Sequence, residues 1–104
     1  MLKEINQTEY KENIEGKEKG LYLLVFHALW CPPCKMFKTS LEELNKMDGI
    51  PVYRIDVDQN TQFTHEMGVS SMPTWFIIKN SKVMEKVTGY IPYEQLKAKV
   101  MEYK

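Results

Sequence analysis

Two cysteines stand three positions apart in the run Trp30-Cys31-Pro32-Pro33-Cys34. A thiolate attacks a disulfide sulfur through a mixed disulfide, and a second thiol one helical turn away can return to displace the first product. The run follows an apolar stretch beginning at Leu21, and proline suits the first position of a helix. Cys31 is therefore expected to end a loop after a buried strand, with a helix starting at Pro32. There, unsatisfied backbone N–H groups and the positive end of the helix macrodipole favour thiolate over thiol. On this reading Cys31 attacks and Cys34 resolves. The other readings are weaker. A structural disulfide across so short a loop contributes little through chain entropy. Inert core thiols would not flank a helix start. A zinc site needs about four ligands, and only His27 and His65 remain to add nitrogen. No metal and no cofactor beyond the Cys31–Cys34 disulfide is expected.

The surrounding sequence must position this pair. Leu2 to Ile5 forms a weak first strand. Thr8 is the expected N-cap of a charged helix from about Glu9 to Glu15. Leu21 to His27 is nearly continuously apolar, the pattern of a strand buried on both faces of a sheet. From Pro32 to Met47, the apolar residues Met36, Phe37, Leu41, Leu44 and Met47 mark one helical face, and Asp48-Gly49 ends the helix. Pro51 to Val57 alternates as a strand, and a short helix covers about Thr61 to Met67. Thr74 to Lys79 and Lys82 to Thr88 form a hairpin across Asn80-Ser81. Pro92 starts a last amphipathic helix running to about Tyr103, with Leu96, Val100 and Tyr103 inward. The order β-α-β-α-β-α-β-β-α implies an α/β fold, with a central mixed five-stranded sheet and helices on both faces.

Composition bounds the function. The chain has 104 residues, 43% hydrophobic and 27% charged, which suits one globular domain over 1–104. Fourteen basic residues balance fourteen acidic ones, so neither a nucleic acid nor an anionic membrane surface is an expected partner. Met1-Leu2-Lys3-Glu4 carries no basic and apolar leader pattern. The longest apolar run, Leu21 to Trp30, falls short of the roughly 20 residues a membrane span needs. The expected location is the cytoplasm, where a structural disulfide is uncommon, and the chain is expected to work as a monomer.

Taken together, these features resemble the thioredoxin family. The resemblance rests on Trp-Cys-x-x-Cys after an apolar strand, Asp56-Val57-Asp58-Gln59-Asn60 after the third strand and Met72-Pro73-Thr74 before the fourth. Lys79-Asn80-Ser81 at the hairpin and Gly89 after the fifth strand complete it. The pattern covers essentially the whole chain. It implies the thioredoxin fold and a protein-disulfide reductase. The implied partners are disulfide-containing protein substrates, with a reductase or a low-molecular-weight thiol as electron donor. It implies that Cys31 is the exposed attacking cysteine and Cys34 the buried resolving one. Trp30 would line the substrate surface together with Pro32, Pro33, Met72 and Pro73. Pro73 would follow a cis bond that exposes the Met72 backbone for pairing with an extended peptide.

The sequence also departs from the family pattern. Pro32-Pro33 replaces the usual Gly-Pro, as in tryparedoxin- and nucleoredoxin-like relatives, removes an N–H near the thiolate and is expected to shift the redox poise. Val25 stands where the family carries a buried acid thought to help deprotonate the resolving cysteine. Arg54 falls at the basic partner of that acid and reads as a surface residue with a packed stem, or as a thiolate-stabilising cation. His27 shares a strand face with Val25 and reads as a packed or half-exposed histidine, or as a proton acceptor near neutral pH. His65 is expected to be solvated. Thr39 replaces a kinking proline and suggests a straighter helix. Two other functions remain open at this level: a binding module that uses the scaffold without redox chemistry, and a disulfide oxidase or isomerase.

Overall fold

A computed structural model describes residues 2–104. Its core is a five-stranded sheet of β1 (Leu2–Glu4), β2 (Leu21–His27), β3 (Val52–Asp56), β4 (Thr74–Lys79) and β5 (Lys82–Thr88), in the order β1-β3-β2-β4-β5. β3 runs parallel to both β1 and β2, whereas β4 pairs antiparallel with β2 and with β5. The helices are α1 (Gln7–Glu9), continued by a π-helical turn over Tyr10–Ile14, then α2 (Pro32–Asp48), α3 (Thr61–Glu66) and α4 (Tyr93–Met101).

β2 lies in the middle of the sheet and its alternate side chains enter two different cores. Tyr22, Leu24 and Phe26 join Tyr10, Tyr53, Ile55, Phe63 and Phe76 on the face covered by α1 and α3. Leu23 and Val25 join Phe37, Leu41, Leu44, Trp75, Leu96 and Val100 on the face covered by α2 and α4. The period-2 geometry of a strand divides one apolar run between two packed layers. α2 buries Phe37, Leu41 and Leu44, while Met36 and Met47 remain exposed, so the inward stripe is narrower than the apolar pattern suggested. Gly49 ends α2 in the left-handed conformation at φ 69°, which a residue without Cβ adopts at least cost. α2 runs unbroken through Thr39.

Three details differ from the sequence expectation. The first helix is capped by Asn6, not Thr8: the Asn6 side chain accepts from the Glu9 N–H at 2.8 Å and the Glu9 carboxylate accepts from the Asn6 N–H at 3.1 Å. Asn with Glu three residues on satisfies two helix-start donors reciprocally, and this outcompetes a lone threonine. The α-helix then widens, with the Glu15 N–H donating to the Tyr10 carbonyl at 2.8 Å. The last helix stops at Met101, leaving Tyr103 past its end, where its hydroxyl donates to Glu85 at 2.7 Å.

The end of α2 is tied to α4. The Tyr93 hydroxyl donates to Asp48 Oδ2 at 2.7 Å, and Lys97 approaches Asp48 Oδ1 at 3.3 Å. The tyrosine hydrogen bond, then the lysine, hold the Asp48 carboxyl below its ordinary range. A depressed carboxyl contributes stability above its unfolded value and loses it as pH falls through the folded value. Tyr93→Phe is therefore expected to lower the urea midpoint at neutral pH, with the gap to the parent closing as pH drops from about 5 to 2; a pH-independent gap would remove Asp48 from the account. In the same urea assay, Leu44→Ala is expected to cost about 2–5 kcal/mol, and Met47→Ala less than about 0.5 kcal/mol.

Candidate active site

β2 delivers the chain to the site. After His27 it turns through Ala28-Leu29-Trp30, and the Cys31 N–H donates to the Ala28 carbonyl at 3.3 Å. Cys31 then caps α2 in extended conformation (φ −100°, ψ 108°), and its Sγ accepts from the Cys34 N–H at 3.3 Å. Pro32 and Pro33 occupy the first two helical positions and carry no N–H. The first backbone donor that α2 can offer is therefore Cys34 N–H, and it is aimed at Cys31 Sγ. When the bond is reduced, the same contact and the helix dipole favour the Cys31 thiolate. Cys31 and Cys34 are joined as a disulfide, with Cα atoms 5.3 Å apart.

The expected contrast between an exposed Cys31 and a buried Cys34 is not seen: their exposures are 5% and 3%. The closed ring folds the Cys31 sulfur over the first turn of α2 and toward Met72, whose carbonyl oxygen lies 3.7 Å from it. In this state the sulfur has no proton to donate, so the approach is packing. Exposure falls instead on the neighbours. Leu29 is 70% and Trp30 65% exposed, and Pro32 and Pro33 are exposed beside them. Trp30 is thus a surface aromatic rather than a core one. Its indole N–H donates to Asp58 Oδ2 at 2.7 Å, and the Asp58 N–H is itself bound to Asp56 Oδ1 at 2.9 Å. The indole is held while its face stays open.

The Met72–Pro73 peptide is cis. Pro73 is buried and Met72 half-buried. The Pro73 carbonyl accepts from the Gly89 N–H at 2.8 Å, and Thr74 Oγ1 donates to the Ser71 carbonyl at 2.6 Å. These bonds on both sides hold the segment next to the disulfide.

A cleft of about 300 Å³ opens behind Cys34, lined by Glu4, His27, Cys34, Lys35, Lys38 and Arg54 among others. Arg54 is a correction to the surface reading, because it is only 8% exposed. It lies opposite Val25 in the parallel β2–β3 register, and its Nη1 reaches Glu4 Oε1 at 3.4 Å. Desolvation pulls the guanidinium pKa down, opposed by Glu4, Glu42 and Asp56. Its Nε is buried without a partner. His27 is also buried, at 3% exposure, which fits the packed reading and not the half-exposed one. Its Nε2 lies 2.6 Å from Glu4 Oε2. His65 is exposed, as expected. Among the described residues no three of His, Cys, Asp and Glu are grouped to hold a metal ion. Sequence reasoning missed Glu4, which carried no local signal. It also missed Asp58 as the partner of Trp30, although the Asp58-Gln59-Asn60 run marked the position.

Comparison with known proteins agrees with this geometry. The sequence matches the family model described as Thioredoxin over residues 1–102. It is 35% identical to thioredoxin of Listeria monocytogenes, with 99% of each chain covered. It is 36% identical to thioredoxin of Bacillus subtilis, covering 95% of this chain and 96% of that one. The fold superposes on the X-ray structure of Fasciola hepatica thioredoxin with a TM-score of 0.85 at 26% identity, all of both chains being covered. It superposes on the reduced Schistosoma mansoni thioredoxin pre-protein with a TM-score of 0.87 at 24% identity, covering 99% and 98% of the two chains. The chain belongs to the thioredoxin family of thiol–disulfide oxidoreductases.

Proposed function

We propose that this chain, as a single domain over 1–104, reduces protein disulfides with Cys31 as the attacking and Cys34 as the resolving residue. The observation that carries the assignment is the contact from the Cys34 N–H to Cys31 Sγ at 3.3 Å at the helix start. It supports a stabilised thiolate at Cys31, whereas Cys34 lies inside the first turn. The Cys31 thiolate attacks a substrate disulfide and one substrate thiolate leaves. Cys34, once deprotonated, attacks Cys31 Sγ. The Cys31–substrate bond breaks, the second substrate thiolate leaves, and the Cys31–Cys34 disulfide holds the oxidising equivalent.

Leu29, Trp30, Pro32, Pro33 and Met72 present an apolar face around the sulfurs, with Pro73 behind it. An extended substrate segment pairs with the Met72 backbone there. His27 and Arg54 tune the site from the cleft side. The two sulfurs carry the electrons, so no metal or further cofactor takes part. No described helix is long and apolar enough to cross a membrane. The reading further places the protein in the cytoplasm as a monomer. Its electrons come from a reductase or a low-molecular-weight thiol, and neither nucleic acid nor membrane is a partner.

Two experiments test this. With insulin as substrate, Cys31→Ser is expected to lose activity by more than about 10²-fold. Cys34→Ser is expected to accumulate a covalent protein–insulin adduct visible on a non-reducing gel; full activity of Cys31→Ser would refute the assignment. Separately, the oxidised protein is offered NADPH with thioredoxin reductase, or small thiols alone. Reduction at least about tenfold faster by the enzyme would name a flavoprotein donor, and the reverse order a small-thiol donor. An equilibrium against glutathione well above the cytosolic poise would point to an oxidase instead.

A further inference from the structure

The resolving step needs a base, and the cleft behind Cys34 is lined by Glu4, His27, Lys35, Lys38 and Arg54 among others. Cys34 is itself buried, and a thiol in apolar surroundings resists ionisation. Its proton must pass to a group that shares the cleft behind it. The candidates are few. Arg54 is permanently protonated at working pH. Lys35 and Lys38, on the same helix as Cys34, carry ammonium heads that donate and do not accept. Asp56, opposite His27 in the β2–β3 register, has Oδ1 engaged by the Asp58 N–H. Glu4 is shared between His27 and Arg54. That leaves the imidazole of His27, the side chain best suited to accept and return a proton near neutrality.

The hydrogen bonding assigns the imidazole a definite form. An ionised carboxylate only accepts, so the 2.6 Å contact to Glu4 Oε2 puts the proton on His27 Nε2. In the neutral ring Nδ1 then carries the free lone pair. The carboxylate fixes the ring and stabilises the imidazolium that forms when Nδ1 takes a proton. Arg54 opposes that charge, but it is bound to the other Glu4 oxygen at the longer distance of 3.4 Å, and its field favours a thiolate in the same cleft.

We infer that His27, oriented by Glu4, is the proton acceptor for Cys34 in the resolving step, acting through the cleft both side chains line. The inference rests on Cys34 being the resolving residue. In the mixed disulfide, Cys34 Sγ–H gives its proton to His27 Nδ1, directly or through solvent in the cleft. The thiolate attacks Cys31 Sγ, the Cys31–substrate S–S bond breaks, and the departing substrate thiolate takes up a proton from the imidazolium or from water. Substrate sulfur is reduced, the Cys31–Cys34 pair is oxidised, and His27 returns to neutral. Glu4 is a positioning residue.

The test separates attack from resolution. Reduced protein is mixed with 5,5′-dithiobis(2-nitrobenzoate) in a stopped-flow instrument, and two thionitrobenzoate releases are followed. The first reports attack and the second reports resolution. His27→Gln keeps a donor of similar reach but cannot titrate. Its first release is expected within about twofold of the parent, while its second slows by about 10²-fold at pH 7. That second rate is also expected to rise with pH up to the thiol range, more steeply than the parent's. Glu4→Gln, whose amide oxygen still accepts a hydrogen bond, is expected to slow the second release by about threefold to tenfold. Parent-like second releases and pH profiles in the folded variants would overturn the inference; if His27→Gln does not fold, Glu4→Gln decides it alone. Cys34→Ser monitors the underlying assignment. If its first release is lost while Cys31→Ser still releases thionitrobenzoate at the parent rate, the roles of the cysteines are wrong, whereas a fast first release with no second in Cys34→Ser, beside a normal His27→Gln, refutes only the histidine.

Discussion

Everything at the site hangs on β2 being clamped in the centre of the sheet. Its backbone pairs on one side with β3 and on the other with β4, and its side chains fill both cores. A strand held on four sides has little freedom at its end. The residues that leave it, from His27 to Cys31, are therefore set with respect to both the cleft and the first turn of α2. β4 begins at Thr74, paired with Phe26. That register brings Met72 and Pro73 beside the sulfurs. The catalytic pair and the segment opposite it are thus consequences of one pairing pattern.

Within that frame, the two prolines concentrate the electrostatics of the helix start. An ordinary helix offers several unsatisfied N–H groups to a ligand at its N-terminus. Here the first two positions have none, and Cys31 Sγ receives its backbone hydrogen bond from Cys34 itself. Exposed Leu29 and Trp30 leave apolar surface beside the disulfide, and the Trp30–Asp58 bond limits the freedom of the indole.

The opposite side of Cys34 has a different character. Arg54 and His27 are buried in a region where an unpaired charge is costly, and one half-exposed carboxylate, Glu4, serves both. Glu4 comes from the three-residue edge strand β1. A group on the edge strand of the sheet thereby orients a group beside the active centre. Removing the edge strand would leave two buried nitrogen bases uncompensated, which gives β1 a role beyond its small share of the core.

Much of this was legible in residues 1–104 alone. Short-range signals carried it: the apolar run Leu21 to Phe26 for a two-faced strand, Pro32 for a helix start, Gly49 for its stop, Asn80-Ser81 for the hairpin, and Cys-x-x-Cys for the chemistry. Each acts within one or two turns of chain, where stereochemistry dominates. The family resemblance supplied the cis peptide before Pro73. The sequence misplaced the first cap, because Asn6 and Thr8 are both good caps and only the reciprocal bond with Glu9 separates them. It could not show that Arg54 is buried, that Cys31 is as covered as Cys34 in the disulfide state, or that Trp30 is tied to Asp58. Above all it could not join His27 to Glu4, 23 residues apart. That contact exists because β3 pairs with both β1 and β2 in parallel, bringing the ends of two strands together. Strand order is a sum over many weak distant contacts, and no local pattern encodes it. The chemistry of the Cys31–Cys34 pair was therefore written in the sequence, while the cleft that brings His27, Glu4 and Arg54 beside Cys34 was decided by how the sheet assembles.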